Sequence, residues 1–157
     1  MYLCIGNDDA EAGDGYEFLY QVIITLKNYV SRDPQGMLKI GEGQTISNLD
    51  MYILFIEQCF SINRDEYDWM DGIAVISLAI ALFENMPGMI DKEFPKLLAY
   101  LASELKFKQS LQKETVTSYY ESMLYQAFSM AFVYNAELVF RWMENENITL
   151  DLFQGWF

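Results

Sequence analysis

WMDGIAVISLAIALFENMPGMIDKEFPKLLAYLASEL, residues 69–105, decides how the rest of the chain is read. Over its first half, Trp69, Ile73, Ile76, Ile80 and Phe83 recur at steps of four and three. Val75, Leu78 and Leu82 make a second apolar stripe, and Ala74, Ser77, Ala79 and Ala81 keep the flanks small. A helix apolar on two sides lies between neighbours rather than on a surface. Glu84-Asn85-Met86-Pro87-Gly88 then breaks it, because Asn and Gly suit a left-handed cap and Pro cannot continue the helix. The chain restarts at Phe94-Pro95, where a proline's missing N–H has no intrahelical partner to lose. Phe94, Leu97, Leu98, Leu101 and Leu105 form one stripe, with Lys92, Glu93, Lys96 and Glu104 as polar flanks. The stretch predicts an antiparallel helical hairpin, one helix buried on both sides and the other amphipathic, the unit of a stacked helical array.

Outward from this hairpin the periodicity stays helical. Tyr16–Val30 places Leu19, Val22, Ile23, Leu26 and Val30 on one stripe, and Arg32-Asp33-Pro34 ends it. Residues 35–44 read as loop. Their Gly41-Glu42-Gly43-Gln44 lacks the preceding strand and the further glycines of a nucleotide-binding turn. Ser47 is a natural N-cap for a helix running to Ser61, with Asp50 three residues on. Beyond the hairpin, Lys106–Lys113 reads as a basic, polar connection. A helix follows from about Thr115 to Tyr134, with Tyr120, Met123, Leu124, Ala127, Phe128, Ala131 and Tyr134 inward. Asn135 marks a break, Ala136–Glu144 a short helix and Thr149–Phe157 the beginning of another. A chain that stops at Trp156-Phe157 inside an element reads as a segment of a longer one.

No strand pattern is visible, so the expected class is all-α. The roughly forty-residue spacing of the hairpins suits a HEAT-repeat superhelical array of antiparallel helix pairs over residues 16–157, with a compact bundle as the other arrangement.

Composition narrows the chemistry. The 157 residues are 52% hydrophobic and 16% aromatic, enough to bury a core. Twenty-three acidic against 10 basic residues give a formal net charge of −13 and a pI near 4.2. Nucleic-acid binding is disfavoured, since phosphate contacts need clustered cations, whereas basic proteins are attracted. Residues 1–15 read as an acidic loop carrying Asp8, Asp9, Glu11 and Asp14. It fails as a calcium site, for the ligand alternation stops and no glutamate closes it. Asp65, Glu66 and Asp68 precede the central helix, where carboxylates favour a helix N-terminus without any ligand. The chain has no histidine, which removes the commonest general base and metal ligand. Cys4 and Cys59 offer neither metal spacing nor a disulfide framework. No catalytic residue, metal or cofactor is expected.

In their order along the chain, several segments resemble the importin-β superfamily of nuclear transport receptors, in particular its importin seven and eight branch. The segments are Asn28-Tyr29-Val30, Met51-Tyr52-Ile53 through Phe60, Gly88-Met89-Ile90-Asp91 before Phe94-Pro95, and Ala131 to Asn135 followed by Glu144-Asn145. Ala136 departs from the pattern, since the branch tends to carry proline after Tyr-Asn. The resemblance implies a C-terminal piece of a receptor that shuttles between cytoplasm and nucleus. Such a receptor takes basic cargo such as ribosomal proteins or histones, responds to the GTPase Ran through the full-length chain, and touches the phenylalanine-glycine repeats of nucleoporins. The cargo-contact residues expected on that reading are Asp8, Asp9, Glu11, Asp14, Asp65, Glu66 and Asp68. A HEAT-type scaffold in another assembly is the competing role.

Overall fold

The computed structural model describes residues 12–61, 69–110 and 118–156, and side chains over 20–59, 72–109 and 119–153. Among the described residues six α-helices and a 3-10 helix follow one another: α1 Ala12–Arg32, α2 Pro34–Met37, α3 Asn48–Ser61, α4 Trp69–Asn85, α5 Phe94–Ser110, α6 Ser118–Asn145 and the 3-10 helix Leu150–Trp156. Among the described residues there is no strand, only an isolated bridge between Ile40 and Ser47. None of these helices is long and apolar enough to cross a membrane.

The two stripes of α4 are both consumed. Val75, Ile76, Leu78 and Leu82 are fully buried, and Ala74, Ala79, Ala81 and Phe83 nearly so. One side of α4 packs on α1 and the other on α6, while α3 packs on α4, α5 on α6, and α3 touches α5. The helices therefore lie in two layers: α1, α4 and α6 in one, α3 and α5 in the other, with the 3-10 helix set on α5. Phe94 at the start of α5 stacks on Tyr134, and Glu104 near its end meets Tyr120. Residue numbers rise along α5 as they fall along α6, so this pair is antiparallel.

That arrangement corrects the expected hairpin. Among the described residues α4 and α5 do not pack along their lengths; they meet at a corner where the rings of Phe83 and Phe94 cross edge to face at 5.3 Å. The tight turn at 86–93 steps from one packed pair to the next, because α1 and α6 already fill both flanks of α4. Gly88 takes a left-handed φ of 70° there, which a side chain would oppose. Met86 and Ile90 are fully buried beneath it.

Helix ends explain several other boundaries. Ser47 and Asp50 form a reciprocal cap: the Ser47 hydroxyl accepts from Asp50 N–H at 3.1 Å, and the Asp50 carboxylate accepts from Ser47 N–H at 3.0 Å and from the hydroxyl at 2.6 Å. Those two donors hold the Asp50 carboxyl below its ordinary range against a smaller opposing effect of burial. Its contribution to stability is complete above the unfolded value and is lost as pH falls through the lower folded value. Ser47→Ala is expected to cost about 1 kcal/mol in urea melts near neutral pH and to flatten the acid limb of the stability curve. A wild-type acid limb would mean that the cap is idle.

The segment expected as loop after residue 34 opens with a one-turn helix, too short to show periodicity. The Asp33 carboxylate accepts from Gly36 N–H at 2.9 Å, and Pro34 supplies a preset φ in the first turn. Helix α1 starts at Ala12, four residues before the expected start at Tyr16, which takes Asp14 out of the expected loop and into the first turn. Helix α5 runs on to Ser110, so the first part of the expected basic connection is helical.

The break at Asn135 is a kink inside α6 rather than a gap between two helices. Asn135 has φ −163° and ψ 95°, and its side-chain oxygen accepts from Leu138 N–H at 3.1 Å, recapping the second half. Ala136 then occupies a first-turn position, behind a residue already extended as a proline would require. Ala136→Pro is therefore expected to raise stability by roughly 0.4–1 kcal/mol. In an uninterrupted helix the same change would lower it by about 3 kcal/mol, so the sign of the shift in thermal melting decides between the two.

The end of the chain differs from expectation as well. Instead of an α-helix, the 3-10 helix folds back, with Phe153 edge to face against Phe128 at 4.9 Å and Gln109 donating its side-chain amide to Leu152 C=O at 2.9 Å.

Candidate interaction surface

Of the seven acidic residues expected to contact cargo, Asp8, Asp9, Glu11, Asp65, Glu66 and Asp68 lie outside the described residues. Asp14 is placed in the first turn of α1, and its side chain falls outside them. The described carboxylates divide into those occupied by the fold and those left at the surface.

The occupied ones join elements. Glu57 on α3 receives Lys96 of α5 at 2.6 Å, and that ammonium, with Tyr100, holds the Glu57 carboxyl below its usual range. Both partners are substantially solvated, so the pair adds little to stability. Asp91 accepts a hydrogen bond from the Tyr134 hydroxyl, which in turn accepts from Ile90 N–H at 3.3 Å, so the 86–93 turn is tied to the α6 kink. Glu121 engages Lys108 of α5 and accepts from Tyr125 at 3.1 Å.

Glu104 was expected as a polar flank of α5 and is only 2% exposed. Tyr120, itself fully buried, donates its hydroxyl to Glu104 at 2.7 Å. Its position was readable in principle, since it stands three residues after Leu101 and one before Leu105 and so follows the apolar stripe. What the stripe could not show was the phenol arriving from α6.

None of the shifted groups is tuned for acid–base work near neutrality. Burial pushes Tyr52 and Tyr125 up to about 12, and it raises Tyr100 and Tyr134 as well, with the Asp91 carboxylate adding to the rise at Tyr134. Among the described residues no cluster of three or more acidic or cysteine side chains could hold a metal ion. An open cavity of about 290 Å³ lies between the end of α5 and the last turn, lined by Lys106, Gln109, Asn147, Thr149 and Asp151 among others. Thr149 donates to Asp151 at 3.0 Å and Gln109 is held by Leu152, so much of its polar lining is already engaged.

Gly41-Glu42-Gly43-Gln44 is a closed turn. Gln44 N–H reaches Gly41 C=O at 3.0 Å, and the Gln44 side-chain oxygen takes Gly41 N–H at 3.0 Å. Two of its backbone donors, those of Gly41 and Gln44, are thereby engaged within the turn.

The surface carries exposed carboxylates, cations such as Arg32, Lys39, Lys92 and Lys106, and apolar side chains. Glu42, Glu84, Glu137, Glu144 and Glu146 are exposed. Exposed large apolar side chains include Leu38, Ile40, Ile46, Met51 and Leu54 around the start of α3, Val133 and Phe140 on either side of the α6 kink, Tyr20 and Tyr29 on α1, Tyr119 and Leu150. Compared with protein-family models, with curated proteins and with solved structures, the chain matches none.

Proposed function

We propose that this chain is a non-enzymatic helical array that binds basic protein, and that it serves as a segment of a nuclear import receptor. The observation that carries the array reading is the two-layer packing. Helices α1, α4 and α6 pack in succession, and α3 packs on α4 and α5 on α6 as successive pairs, as in stacked repeats whose units contact only their neighbours. Superhelical HEAT geometry is the natural continuation of that stacking. A net charge of −13 on a surface whose described cations are partly engaged by carboxylates supports a basic partner.

The transport role, with Ran, nucleoporin repeats and shuttling between cytoplasm and nucleus, rests on the resemblance of the ordered segments between Asn28 and Asn145. A scaffold role in another assembly would share the packing and lack those partners.

Titration of the purified chain with a histone or a basic ribosomal protein across a salt series tests the reading. Binding that weakens steeply as salt rises is the expected result, because exposed charges are screened within about 10 Å at ~0.1 M salt. Neutralising Asp8, Asp9, Glu11 and Asp14, or Asp65, Glu66 and Asp68, is expected to weaken it further. No binding at low salt would leave the chain as architecture.

A further inference from the structure

We draw no further inference here: the strongest candidate, the exposed apolar patch of Leu38, Ile40, Ile46, Met51 and Leu54 around the start of α3, carries nothing because nothing in the structure shows what covers it.

Discussion

Truncating Phe94 to alanine is expected to lower stability by about 3–5 kcal/mol, the range for emptying a fully buried phenylalanine site. The ring is 0% exposed, crosses Phe83 at 5.3 Å and stacks on Tyr134 at 4.7 Å. It fills the corner where the chain leaves one helix pair for the next. Such aromatic pairs add about 0.5–1.5 kcal/mol beyond the area they bury. The tyrosine on one side of it is also fixed from behind, by Asp91 and Ile90 N–H. The surroundings therefore cannot close onto the vacancy without giving up those bonds, which puts the expected loss toward the upper part of the range. Urea titration of Phe94→Ala against the wild type measures it. A loss below roughly 1 kcal/mol, the size of an ordinary surface change or less, would mean that the corner relaxes and that the α4–α5 step is not fixed by this ring.

The same corner shows what was legible in the sequence. Two apolar stripes on Trp69–Phe83 state that α4 is covered on two sides, and the burial of Val75, Leu78 and Leu82 agrees. They cannot state by what. One cover is α1, some fifty residues earlier, and the other is α6, so the pair expected from the short turn at 86–93 is displaced by one helix. A turn is set by local backbone preference, whereas the choice of neighbour is set by which remote surfaces fit.

Local signals held where the physics is local. Ser47 with Asp50 is a cap in both readings, and Asn135 interrupts α6 in both. Signals too short for a period were missed, as with Pro34–Met37, whose single turn is organised by the Asp33 side chain. The candidate cargo residues were chosen from charge density in polar segments, and six of the seven fall outside the described residues. The exposed Val133 and Phe140 were not singled out, because the sequence reading of α6 followed its inward face. Apolar residues on the other side become informative only once burial separates them from the core.

Replacing Tyr120 by phenylalanine is expected to cost about 1–3 kcal/mol, the range for removing one partner of a buried polar group. Glu104 is 2% exposed on a helix whose Leu97, Leu101 and Leu105 are fully buried, and Tyr120 reaches it at 2.7 Å. A carboxyl placed there is costly unless its oxygens are satisfied, and removing one donor leaves that demand in place. Glu104→Leu removes the demand itself. In that background Tyr120→Phe is expected to cost less than about 0.5 kcal/mol, so the four-protein cycle should give a coupling of roughly 1–2.5 kcal/mol. Equal costs in the two backgrounds would show that the phenol serves packing alone.

The location of this pair suggests why an acid stands among leucines. Along the antiparallel α5–α6 contact, Glu104 with Tyr120 lies near one end and the 86–93 turn with Tyr134 at the other. Leucine stripes tolerate sliding by a turn with modest loss, whereas two hydrogen-bonded pins at opposite ends are satisfied together in one register only. The stability that Glu104 gives up to desolvation is then exchanged for a fixed alignment of α5 on α6, and with it a fixed position of the kink.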